Sequence, residues 1–142
     1  MKHVNPYLNF LGNTEDAFRF YHSVFGGDAP MLVRYREMGM DGPEGDLVAH
    51  ASLPIGANTV LMASDVPESH ADTLHVGTNV EIYIAADDLA EGQRLFDALY
   101  AGGNVKMPYE KTAWAERFGS CVDRFGIRWS VDYTGDVQFG AG

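Results

Sequence analysis

The sequence predicts an α+β fold made of two tandem βαβββ modules. Three observations carry that expectation. Two segments alternate polar and apolar side chains with period two, the mark of a half-buried strand: Asn5, Tyr7 and Asn9 against Leu8 and Phe10, and Glu81 and Tyr83 against Val80, Ile82 and Ile84. Each is followed by an amphipathic helical pattern, and one fixed shift lays the first helix on the second. It puts Asn13 on Asp88, Asp16 on Glu91, Arg19 on Arg94, Phe20-Tyr21 on Leu95-Phe96 and Phe25 on Tyr100. Three further strand-like runs follow each helix, so the repeat is of the whole unit and not of a helix alone.

The elements follow in order. Val4 to Phe10 is the first strand. The helix after it carries Ala17, Phe18, Phe20, Tyr21, Val24 and Phe25, with 17/21/24 and 18/21/25 at helical spacing, and ends at Gly26-Gly27, which permit a left-handed termination. Asn13 is expected to cap it through its side-chain oxygen, with Glu15 and Asp16 at the positive end of the helix dipole. Residues 31–38 read as a strand and Gly39 to Asp46 as a glycine-rich acidic loop. Leu47 to Ile55 and Thr59 to Ser64 form a hairpin around Gly56-Ala57-Asn58, residues that suit a tight turn. A polar loop from Asp65 to Gly77 holds His70 and His75. In the second half the strand from Val80 to Ile84 leads to a helix over Leu89 to Tyr100, opened by the capping box Asp88-Leu-Ala-Glu91 and closed by Gly102-Gly103. Strands are then expected near Val105 to Met107, Phe118 to Asp123 and Ile127 to Tyr133, the last two joined by Arg124-Phe125-Gly126. The whole reads as one domain over 1–142, with modules at about 4–65 and 78–133, a loop at 66–77 and a C-terminal tail at 134–142.

Composition narrows the function. The 142 residues are 46% hydrophobic and carry 20 acidic against 10 basic side chains, a net charge of -10. That acidity repels a phosphate backbone and no Lys or Arg cluster offsets it, so nucleic acid is an unsuitable partner and a cationic ligand a suitable one. The chain start lacks the basic and apolar regions of a signal peptide, and no apolar run approaches the roughly 20 residues of a membrane helix. A cytoplasmic protein with no membrane partner is expected. Cys121 stands alone.

Several tags then carry a likeness. Asn5-Pro-Tyr-Leu-Asn-Phe10, Phe20-Tyr-His-Ser-Val-Phe-Gly-Gly27, His50-Ala-Ser-Leu53, Leu61-Met-Ala-Ser-Asp65, Gly102-Gly103 and Asp123-Arg-Phe-Gly-Ile-Arg-Trp129 occur in order over nearly the whole chain. Together they resemble the PhnB-like branch of the glyoxalase, bleomycin-resistance and dioxygenase superfamily, the vicinal oxygen chelate proteins. The resemblance implies eight strands in a curled mixed sheet around a concave cleft, helices outside, and a homodimer. Branch names refer to phosphonate metabolism or to a demethylubiquinone methyltransferase. This sequence has no glycine-rich strand-to-helix turn for S-adenosylmethionine; its glycines sit at helix ends and turns.

Metal-using members of the superfamily place one ligand on each of four strands, and those positions fall here near Asn5, Met62, Glu81 and Ser130. An amide, a thioether, a carboxylate and a hydroxyl make a poor divalent site, so no metal and no other cofactor is expected, a divalent ion being the alternative. Strand alternation puts Tyr7, Asn9, Glu81 and Tyr83 on the cleft side, with Arg128, Ser130 and Asp132 on the non-core face of the last strand. Met62 and mid-strand His50 join the cleft set. Trp114 and Phe118 match the family's Trp-x-x-x-Phe-Gly element bordering the cleft. The expected ligand-binding residues are thus Tyr7, Asn9, His50, Met62, Glu81, Tyr83, Trp114 and Phe118. Glu81 and His50 are the candidates for acid-base work, because a carboxylate in an apolar cleft or an imidazole with one free nitrogen can move a proton. Asp123 reads as turn chemistry and Cys121 as a small buried hydrophobe. Three functions fit: a metal-independent binder of a small organic, preferably cationic, molecule; a divalent-metal-dependent lyase, isomerase or dioxygenase; and an interaction protein with a vestigial cleft.

Overall fold

Pairing between strands distant in sequence organises the chain. The computed structural model describes residues 1–138. Its strands are β1 (Tyr7–Phe10), β2 (Met31–Arg34), β3 (Val48–Ile55), β4 (Thr59–Asp65), β5 (Ile82–Ala85), β6 (Asn104–Glu110), β7 (Arg117–Val122) and β8 (Arg128–Tyr133). The helices are α1 (Thr14–Phe25) and α2 (Leu89–Tyr100). The eight strands divide into two four-stranded sheets, ordered β1-β4-β3-β2 and β5-β8-β7-β6, each with one parallel pair and two antiparallel pairs. The two orders correspond strand for strand, as a βαβββ duplication requires. The chain splits into a unit Met1–His75 and a unit that starts at Val76.

In the first module α1 lies on β3 and β4. Phe10, Ala17, Phe18, Tyr21 and Val24 are buried, as are Ala51, Leu53, Leu61 and Ala63. The period-two burial of β3 and β4 leaves His50, Ser52, Met62 and Ser64 on the opposite, helix-free face. The start of α1 departs from expectation. Asn13 makes no side-chain capping bond. The buried carboxylate of Asp65, from the far end of β4, does that work: its Oδ1 accepts from Gly12 N (3.0 Å), Thr14 N (3.0 Å) and the Thr14 hydroxyl (2.7 Å), and its Oδ2 from Val48 N (2.8 Å). A charged acceptor at a helix N-terminus satisfies donors that the helix itself leaves unpaired.

The expected strand over 31–38 is cut to Met31–Arg34, and Tyr35–Met38 is a 3-10 turn. The ladder ends because β3 begins only at Val48, the partner of Arg34. Arg34 N then donates to the Glu37 carboxylate (2.7 Å), and Gly39, at φ 91°, takes the left-handed turn that an L side chain resists. The two expected loops each contain a 3-10 turn, Pro43–Asp46 and Glu68–Thr73.

In the second module α2 lies on β7 and β8, with Leu95, Phe96 and Leu99 buried alongside Cys121, Trp129 and Val131. The Asp88 cap forms as expected, its side chain accepting from Glu91 N at 2.8 Å. Val80, expected in the core, is 73% exposed, because β8 supplies partners only from Ile82 onward. β6 is longer than expected and bulged, its register against β7 shifting twice. Asp123 is turn chemistry: its carboxylate accepts from Phe125 N, Ile127 N and the Trp129 indole (2.8 Å). Of the expected C-terminal tail, 139–142 lie outside the described residues.

Candidate functional site

On the helix-free face of the first sheet, β1 and β4 run parallel with Tyr7 opposite Met62 and Asn9 opposite Ser64, and β3 brings Ser52 opposite Met62. The Tyr7 hydroxyl lies 3.2 Å from His50 Nδ1, with ring centroids 5.7 Å apart. When the hydroxyl donates, the ring proton sits on Nε2, which has no partner among the described residues. Tyr7, His50, Met62 and Asn9 thus share one face, which strand alternation predicts for Tyr7 and Asn9.

The second sheet carries a denser constellation. Its cross-strand registers set Tyr83 opposite Ser130, Ser130 opposite Ser120, and Ser120 opposite Met107; the next row runs Ala85, Asp132, Phe118, Glu110. Opposed residues share a face, and on this one Trp129 and Val131 point the other way, into the core. Trp114 stacks edge-on against Phe118, centroids 5.4 Å apart. Tyr83 donates its hydroxyl to Asp132 Oδ2 (2.9 Å), and Thr134 donates to the same oxygen (2.6 Å). Burial, then the hydrogen bond to Asp132 and its charge, push the Tyr83 phenol up to about 12. Ser120, Ser130 and Asp132 are only 6%, 2% and 3% exposed. Yet the two serine hydroxyls and Asp132 Oδ1 have no hydrogen-bond partner among the described residues. None of the three is closed off from solvent; among the described residues the only polar side-chain atom both sealed and unpartnered is the Tyr109 hydroxyl.

The family model described as 3-demethylubiquinone-9 3-methyltransferase matches residues 2–132. The chain belongs to this PhnB-like family. It is similar to protein PA1353 from Pseudomonas aeruginosa, at 35% identity and a TM-score of 0.79, covering 92% of this chain and 96% of that one. It is also similar to a putative 3-demethylubiquinone-9 3-methyltransferase, PhnB protein, from Bacillus cereus, at 26% identity, TM-score 0.74 and coverage of 92% and 98%. A glyoxalase/bleomycin resistance protein/dioxygenase family enzyme from Burkholderia phytofirmans shares the fold, at 14% identity, TM-score 0.59 and coverage of 94% and 97%. The PhnB-like chain thus has the α+β fold of the vicinal oxygen chelate superfamily.

The superfamily's four ligand positions hold weak donors in this PhnB-like chain. Asn5 already spends its side-chain oxygen on Val60 N (3.1 Å), and Met62 and Ser130 offer a thioether and a neutral hydroxyl. Among the described residues no three His, Cys, Asp or Glu side chains come together as a metal-holding group. Glu81 lies one residue ahead of β5 and is exposed, with no ion-pair or hydrogen-bond partner among the described residues. Cys121 is buried and its thiol pushed up to about 12, by burial first and then by the Asp123 and Glu81 charges, so it is a poor nucleophile. Asp132 and Ser120 are residues that reasoning on function from sequence passed over, and Ser130 entered it only as one of the four ligand positions. Alternation had already set Asp132 and Ser130 on the non-core face of the last strand; the pairing of β7 with β8 adds Ser120. Among the described residues no helix is long and apolar enough to cross a membrane.

Proposed function

We propose that this PhnB-like chain binds a small organic molecule, without a metal, on the helix-free face of its second sheet. One observation supports the reading: two serine hydroxyls and a carboxylate oxygen have no protein partner among the described residues at positions under one-tenth exposed, next to Tyr83, Phe118 and Trp114. Polar groups in such surroundings are normally paired, and a few convergent polar groups beside aromatic surface are what a ligand site consists of. The fixed β7–β8 ladder holds the polar groups in place, so little ordering is needed on binding. Nothing in this arrangement supplies an activated nucleophile. Trp114, 39% exposed, is the natural reporter, since Trp129 is fully buried and tied to Asp123. Titration with a panel of small aromatic compounds is expected to quench Trp114 emission saturably, and Trp114→Phe to abolish the signal. Absence of saturable quenching at millimolar concentration across the panel contradicts the reading.

A further inference from the structure

We infer that Asp132, with the hydroxyls of Ser120 and Ser130, forms a subsite for a primary ammonium group on an aromatic ligand. The inference rests on the reading above and names the chemistry that the face selects. Asp132 Oδ2 is occupied by two hydroxyl donors, which fixes the carboxylate plane; Oδ1 is left open. An ammonium offers three N–H donors and no acceptor. The open Oδ1 takes one of them, and the serine oxygens, each with free lone pairs, take the others. Hydrogen bonds between ionised partners are shorter and stronger than neutral ones, and the gain is larger where water is scarce.

The neighbours favour the same charge. Phe118 stands directly across from Asp132 and carries Trp114 on its edge, so an aromatic surface flanks the carboxylate and attracts a cation through its ring face. Glu110, on the other side of Phe118, adds a second carboxylate to the row. Arg128, a cation on this face, lies four residues from Asp132 along β8, about 13 Å at strand rise, and forms no ion pair with Asp132 among the described residues. A carboxylate ligand at the subsite meets Asp132 and Glu110; a neutral alcohol leaves the charge of Asp132 unanswered.

Calorimetric titration with benzylamine hydrochloride, benzyl alcohol and sodium benzoate varies charge on one ring. Benzylammonium is expected to bind at least about tenfold more tightly than the alcohol, with benzoate weakest. Asp132→Asn, which keeps an acceptor for Tyr83 and Thr134, should erase that preference and leave the alcohol unchanged. If Asp132→Asn fails to fold, the Ser120→Ala/Ser130→Ala double variant should weaken benzylammonium several-fold, and unchanged affinity there overturns the inference. Equal binding of the three compounds, or a preference that survives Asp132→Asn, also overturns it while leaving small-molecule binding intact. Binding of none of the three overturns it as well, and the wider Trp114 panel then decides the broader reading.

Discussion

Asp65 and Asp88 start the two helices by different routes. Asp88 is the local cap that its helix's sequence announces, whereas Asp65 reaches α1 from a strand 51 residues away. The sequence could show that α1 needed an acceptor, but not that a distant carboxylate would displace Asn13 from that role. Asn13→Ala should therefore change unfolding free energy in urea by less than about 0.5 kcal/mol, and Asp88→Ala should cost about 1 kcal/mol. Asp65→Ala leaves three buried or half-buried N–H groups and a hydroxyl without their acceptor, and should cost about 3 kcal/mol or more. Equal effects of Asn13→Ala and Asp65→Ala would contradict this assignment. Tyr83 makes a second test. Its phenol is raised from 10.0 to about 12, so between those values the unfolded chain has released a proton that the folded chain still holds. The stabilisation is complete below pH 10 and is lost as pH rises through about 12. Ultraviolet titration of tyrosinate should lose a late phenol, titrating near 12, on Tyr83→Phe, while burial keeps Tyr35 and Tyr109 raised in both proteins; a Tyr83 that titrates near 10 contradicts its burial and its hydrogen bond to Asp132.

Helix and strand alternation were legible wherever one face met the core, because a period is a property of consecutive residues. Strand ends were not, because they depend on the partner: β2 stops where β3 begins, and β5 starts where β8 offers Ile82 a neighbour. Close packing between α2 and β6 was also invisible in sequence. Gly92 faces the Tyr109 hydroxyl, and a Cβ there would overlap it; Tyr109 in turn stacks on Phe96, centroids 5.5 Å apart. Gly92 thus sits in the first turn of α2, at a propensity cost of up to about 1 kcal/mol, and makes room for that ring. Gly92→Ala should destabilise despite its better helix propensity. The hydroxyl is sealed and unpartnered, so Tyr109→Phe alone should be neutral or stabilising. Adding Tyr109→Phe to Gly92→Ala should recover part of the loss. Additive effects in that double-mutant cycle would show that ring and glycine do not meet.

At the scale of the molecule, the duplicated order of elements and the PhnB-like tags identified the fold because they recur at matching places along nearly the whole chain. The chemistry was legible only in part. Alternation placed Tyr7, Asn9 and Tyr83 on the face away from the helix, and the family likeness added Met62 and Phe118, but Glu81, a candidate for acid-base work on the same alternation, precedes its strand and stands in solvent. The acidic group that the second sheet holds in place is Asp132, buried and half-occupied. Much of the -10 charge lies elsewhere, in helix starts and the loop before β3. The most direct test of binding on this face is amide-resolved NMR during titration with benzylamine hydrochloride. Saturable shifts are expected at Phe118, Ser120, Ser130 and Asp132 on β7 and β8, with the amides of α2 nearly still; no saturable shift, or shifts confined to residues outside the second sheet, would contradict the account.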